Sequence, residues 1–342
     1  MKKIISFLLC FLLASTLLFP FDIVSAKDIN QDINKKVKNV SEKQLDSYLA
    51  ESGYSDYLIS TFDIDEKKDL YYNNAIFASS EVTYSILTES DNIPLQKDYT
   101  GKFQLVNKND IEKINVILKD KSEENKIIEN KNLYNIDGTV NLMRLSNFTS
   151  SLVSSYLGTY SGLVKYKLTY NWTWNYDPQW TLTDKIGFAW SDDFDAAYNT
   201  SMYKYTCYGR AEYGYGSSHK VEYGSNSVQN YKYNEYAPGS GIALEYDIIG
   251  SYNRQRDITG TGSWQTVSFN AYKHSGWASV QISKYSKKTG VGEQTGAVAK
   301  YFHKRTSVQG TVTFSPTPRL SITNSLGYDQ SDDAAVTFRW VN

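Results

Sequence analysis

Apolar and polar residues alternate with a period of two through most of the second half of this chain. In 165–174, Tyr166, Leu168, Tyr170, Trp172 and Trp174 share one face, and Lys165, Lys167, Thr169, Asn171 and Thr173 share the other. This is the signature of a strand with one buried face. Tyr203, Tyr205 and Cys207 alternate with Lys204 and Thr206 in the same way. Val267, Phe269 and Ala271 alternate with Thr266, Ser268 and Asn270. After the turn-like Lys273-His274-Ser275-Gly276, the pattern resumes with Ala278, Val280 and Ile282, which predicts a hairpin. Val312 and Phe314 precede Pro316, and Val336, Phe338 and Trp340 form a last run. Further runs near 182–190, 219–236 and 241–249 bring the expectation to about nine or ten short strands. No helical period interrupts them. The expected fold is mainly β, with an antiparallel β-sandwich or barrel as a C-terminal domain over 151–342.

Residues 27–150 read differently. Ser41-Glu42-Lys43-Gln44 has the form of a capping box, and Leu45, Tyr48 and Leu49 follow on one helical face, with Gly53 placed as a C-cap. A second short helix is expected near Asp65, carrying Leu70 and Tyr71. Val82, Tyr84 and Ile86 alternate as a strand. Lys119 to Asn132 is densely charged and reads as a solvated helix or loop, and the Ser-, Thr- and Gly-rich 146–162 reads as a linker. The expectation is a small, mostly helical or α+β N-terminal region ahead of the β-domain.

The first twenty-six residues change the setting. Met1-Lys2-Lys3 is basic, Ile4 to Leu18 is almost wholly apolar, and Val24-Ser25-Ala26 supplies small residues for cleavage. Residues 1–26 therefore read as a secretory signal, and the product is expected to be extracellular. Beyond the leader, Cys207 is the one cysteine. An exported chain without an internal disulfide points to a Gram-positive source.

Charge and aromatic content sharpen the contrast between the two parts. Residues 27–150 carry 16 Lys and Arg against 21 Asp and Glu, and residues 151–342 carry 18 against 15. The second balance lacks the dense basic face of a nucleic-acid binder. The opposite signs let the two parts attract one another. Of the 29 tyrosines, 21 lie in 151–342, together with all seven tryptophans.

Catalytic signatures are missing. There is no G-x-S-x-G elbow and no H-E-x-x-H helix. The three histidines, His219, His274 and His303, are not in ligand spacing, and Cys207 reads as a small apolar residue facing a core rather than as half of a thiol–histidine pair. Glu212, Glu222, Glu235 and Glu245 fall in or near strands, where a glycosidase could place two carboxyls, but they read first as outward strand charges. Asp192, Asp193 and Asp195 crowd one turn and are the candidate ligands for Ca²⁺, the one cofactor considered. Tyr176 and Trp180 flank the turn at Asp177-Pro178, and Trp190 precedes the acidic turn. These three are the candidate ligand-binding rings, because a flat ring with a polar edge suits a sugar face or a membrane interface.

Three functional readings follow. The first is a secreted, non-enzymatic protein whose β-domain binds a cell-envelope glycan or another surface ligand. The second is a pore-forming or bacteriocin-like toxin in which 264–285 contacts the membrane as an amphipathic hairpin and 27–150 is a masking pro-segment. The third is an extracellular glycan hydrolase or lyase.

Overall fold

A computed structural model describes residues 40–85, 87, 95–97, 103–105, 148–174, 178, 180–191, 194–214, 219–258, 262–285, 294–315 and 317–339. Three short helices come first: α1 (Glu42–Glu51), α2 (Asp56–Thr61) and α3 (Ile64–Tyr72). The capping box at α1 forms as the sequence predicts, with the Gln44 amide donating to Ser41 Oγ and the Ser41 amide donating to Gln44 Oε1. Ser55 and Asp63 cap the other two helices through their side chains.

Strands make up most of the remaining described residues. They are β1 (Ile76–Ser85), β2 (Leu95–Lys97), β3 (Phe103–Leu105), β4 (Phe148–Tyr160), β5 (Leu163–Trp174), β6 (Thr183–Trp190), β7 (Asp195–Ala196), β8 (Met202–Tyr213) and β9 (Lys220–Asn230). They continue with β10 (Glu235–Ala237), β11 (Gly241–Asp247), β12 (Ser251–Asp257), β13 (Trp264–Tyr285), β14 (Gln294–Lys304), β15 (Val312–Ser315), β16 (Arg319–Ile322), β17 (Tyr328–Gln330) and β18 (Ala334–Arg339). A long sheet runs β1-β4-β5-β13-β8-β9, with β7 and β12 also pairing on β13. A second sheet runs β10-β11-β6-β14-β17, with β18 on β14. The pairings are antiparallel, and the two sheets form a sandwich rather than a closed barrel.

The period-two face of β5 supplies much of the core. Tyr166, Leu168, Tyr170, Trp172 and Trp174 are buried against Ile186, Phe188 and Trp190 of β6, Tyr246 of β11 and Tyr301 of β14. Polar groups that enter this core arrive with partners. Asp184 is wholly buried and accepts bonds from the Lys304 amide (2.9 Å) and the Tyr301 hydroxyl, while His303 Nδ1 lies 2.9 Å from it. Tyr301 also receives bonds from Trp174 Nε1 (3.0 Å) and the Tyr246 hydroxyl (2.7 Å). On the outside of the second sheet, the hairpin β15–β16 lays Val312, Leu320 and Ile322 over Ala189, Ala243 and Phe302.

Two expectations are corrected. The hairpin predicted over 264–285 is one continuous strand of 22 residues. Its turn-like sequence lies inside the ladder, where His274 pairs with both Trp174 and Cys207. Gly276 is there for clearance rather than for a bend. A Cβ on it would lie 2.5 Å from the Lys204 carbonyl oxygen and would run into the Trp172 ring. The boundary expected at 150 falls within β4, and β1, from the N-terminal part, pairs along that strand from Ile76↔Tyr156 to Ser85↔Phe148. The N-terminal region thus contributes a strand to the long sheet.

Candidate functional site

The sequence-predicted site residues do not assemble into one place. Trp190 lies fully in the core, its Nε1 donating to the Phe194 carbonyl at 3.0 Å, so it packs rather than binds. The alternation that places Phe188 inward carries Trp190 inward with it. Trp180 is 38% exposed, just ahead of β6. Tyr176, Asp192 and Asp193 lie outside the described residues. Asp195 Oδ1 accepts from the Tyr236 hydroxyl (2.6 Å) and the Ala196 amide (2.9 Å), which ties β7 to β10. Among the described residues no group of three or more His, Cys, Asp or Glu could hold a metal ion.

The candidate carboxylates are tied into ion pairs. Glu235 and Glu245 both contact Lys185 Nζ, at 2.5 and 2.6 Å, and Glu235 Oε2 also accepts from the Val312 amide at 2.7 Å. Burial works against the Lys185 charge, but the bonds to the two carboxylates outweigh it and hold the ammonium above its usual range. Glu222 is gripped by Arg256 and held below the usual carboxylate range by that bond first. Glu212 pairs with Arg210. A retaining or inverting glycosidase needs one carboxyl kept protonated near neutral pH. The one described carboxyl pushed clearly upward is Glu66, in the first turn of α3 and turned toward β5, raised to about 8 mainly by burial. Cys207 and His274 do face one another across β8 and β13, yet both are wholly buried. Cys207 Sγ donates to the Ile249 carbonyl, and His274 Nδ1 lies 2.7 Å from the Tyr205 hydroxyl.

A different surface stands out once strand lengths are compared. The ladder between β13 and β5 stops at His274↔Trp174, yet β13 continues for ten residues more in the other direction, back to Trp264. Asn270 pairs with Arg210 of β8 on one side and with Ser251 of β12 on the other, so β12 occupies the edge that β5 vacates. The overhang is therefore built from β12, the first part of β13, and the ends of β8 and β9. It has a small core of its own, in which Phe269 stacks on Tyr252 with ring centroids 5.2 Å apart, beside Ala211 and Val267. Arg254 and Arg256 lie over the Phe269 ring and close this cluster. The inner face needs slim backbone: a Cβ on Gly209 would lie 2.8 Å from the Tyr252 ring.

The opposite face of the overhang carries exposed aromatic rings. Tyr223 is 63% exposed and Tyr272 is 42% exposed, meeting edge to face at 5.9 Å. Lys273 lies over the neighbouring Tyr208 ring. Trp264, 64% exposed, stands at the start of β13, on the face its even numbering shares with Asn270. On this face Arg210 and Lys273 stand with Glu212 and Asp257, while Arg254, Arg256 and Glu222 belong to the opposite, cluster face. Sequence reasoning missed this surface because it divided β13 at Lys273. With a hairpin drawn there, no overhang exists, and Tyr272 becomes a turn residue.

No family model matches the chain, and no curated protein matches it in sequence. Solved structures do resemble it in part. One described as "Pore forming protein" has a TM-score of 0.30 at 10% identity, covering 57% of this chain and 88% of its own. Clostridium perfringens delta-toxin has a TM-score of 0.26 at 7% identity, covering 56% of this chain and 85% of its own. A structure described as AvmM catalysing macrocyclization in alchivemycin A biosynthesis has a TM-score of 0.19 at 10% identity, covering 56% of this chain and 91% of its own. Scores this low carry no argument about function, and the three descriptions name two different kinds of activity.

Proposed function

We propose that this chain is an exported, non-enzymatic protein that docks on a cell surface through the overhanging end of the long sheet. The observation that carries this reading is the aromatic face itself. Tyr223, Tyr272 and Trp264 hold large rings in solvent on a sheet end supported by its own small core. Rings with a polar edge gain by leaving water for a sugar face or a membrane interface, and they lose little conformational freedom in doing so. Export rests on the leader sequence. The non-enzymatic part rests on the ion-paired strand carboxylates and on the buried positions of Cys207, His274 and His303.

The test uses the chain from Lys27 and the triple substitution Tyr223→Ala, Tyr272→Ala and Trp264→Ala. Each is offered to anionic vesicles loaded with dye and to insoluble cell-wall polysaccharide. The reading expects retention of the parent protein on at least one of these, and loss of it in the triple variant. Retention on vesicles with dye release would select the pore-forming form of the reading. Retention without release would select adhesion. Equal retention of parent and triple variant would remove the overhang from the function.

A further inference from the structure

The outer face of the long sheet mixes buried Val153 and Trp277 with an unusual number of polar groups. Period two places Ser155 of β4, Lys167, Thr169 and Asn171 of β5, Ser279 of β13 and Lys204 of β8 on that face. An ammonium, an amide and several hydroxyls are costly to bury and are seldom chosen for a permanently dry interface. Yet Lys167, Thr169 and Ser279 are almost wholly inaccessible, and α3 with its caps lies against this part of the face.

The helices meet this face chiefly with carboxylates. Asp69 pairs with Lys167. Glu66 Oε1 accepts from Asn171 Nδ2 at 3.0 Å. Asp63 and Asp65 receive Lys204 Nζ at 2.9 and 2.7 Å. The apolar residues of the helices turn mostly toward one another. Leu49, Tyr54, Leu58, Ile59, Phe62 and Leu70 form one cluster, to which β4 adds Val153 and Leu157. The fit between cover and sheet is also incomplete. Glu66 Oε2, Thr169 Oγ1, Ser279 Oγ and Trp277 Nε1 are buried there with no hydrogen-bond partner. Water would satisfy each of them if the cover lifted.

We infer that this outer face is an interaction surface for an acidic helical segment, that residues 42–72 are its resident and displaceable occupant, and that they leave it while the sandwich stays folded. Both sides support this. The sheet face keeps polar groups that lose little when wetted, and the apolar cluster lies mostly on the helical segment, with Val153 and Leu157 supplied by β4. Release takes place about the joint at Asn73 and Asn74, where Asn74 adopts the left-handed φ of 50° that links α3 to β1. The inference is independent of the ligand bound at the overhang.

Thiol labelling tests it in the chain from Lys27. Ser279→Cys places a thiol beneath the helices. The native Cys207 lies on the inner face of β8, in the sandwich core, and reports global opening in the same molecule. The expected result is that the thiol introduced at position 279 reacts with a maleimide roughly tenfold or more faster than Cys207, as local opening outpaces global unfolding. Adding Asp63→Asn and Asp65→Asn should raise the labelling rate of the introduced thiol severalfold further and leave Cys207 unchanged. Equal rates at both sites under every condition would overturn the inference. So would a rate at position 279 that is indifferent to the two Asn substitutions. Thr169→Cys serves as a second probe if Ser279→Cys does not fold, and it is read by the same criteria.

Discussion

Glu66→Gln changes one atom of a side chain that is completely buried between α3 and β5. Burial raises the Glu66 carboxyl from 4.5 to about 8, against the opposing bond from Asn171. Asn171 and Lys167 face it from β5, Asp63 faces it from the N-cap of its own helix, and Asp69 and Tyr54 stand nearby. A carboxyl whose pKa is raised in the folded state contributes fully below its free value, and the contribution fades as pH climbs through the folded value. The whole shift corresponds to ~5 kcal/mol at ~1.4 kcal/mol per pH unit. Between about pH 7 and 9 the docked, protonated form loses about tenfold of its advantage, on the order of 1 kcal/mol. Gln keeps the oxygen that Asn171 bonds and cannot ionise. Urea unfolding at a series of pH values, read by fluorescence and by hydrogen exchange of the α3 amides, compares the two proteins. The parent should lose on the order of 1 kcal/mol relative to Glu66→Gln across that window. Parallel pH curves for the two would refute the reasoning.

Other expectations follow from the same structure. Gly276→Ala should destabilise the sandwich by about 1–3 kcal/mol or more, seen as a lower urea midpoint, because the new Cβ meets both the Trp172 ring and the Lys204 carbonyl. Trp190→Ala should cost about 3–5 kcal/mol of folding stability and leave surface retention unchanged in protein that remains folded, as its ring is core rather than site. Glu235→Gln weakens the hold on Lys185 and on the Val312 amide together. It should cost about 1–3 kcal/mol and speed proteolysis between β14 and β15 more than elsewhere.

What the sequence revealed depended on how local the deciding interaction was. The β5 alternation needs only a dry side and a wet side, and it correctly placed Tyr166 to Trp174 inward. The capping box at Ser41 closes within four residues and was equally legible. The other face of β5 was not. Lys167 and Asn171 look solvent-facing in any period-two reading, and only distant Asp69 and Glu66 cover them. Gly276 carried the same ambiguity, since a glycine for a bend and a glycine for clearance look alike until Trp172 is placed against it. That one residue decided whether 264–285 was two strands or one, and with it whether a candidate surface existed. The choice of sandwich over barrel rests on two sheet orders assembled from strands far apart in sequence, such as β14 between β6 and β17.

The unbroken run of β13 has a mechanical consequence. At roughly 3.3 Å per residue its 22 residues span about 70 Å, from the exposed tip to the far end of the sandwich. A pull applied at Trp264 and resisted by the body of the protein is carried along this one strand. The load then falls in shear on the ladders with β5 and β8, whose bonds must fail together rather than one at a time. A molecule held to a moving surface by this tip would bear tension as a rod does, while its short β12 flank would peel away first.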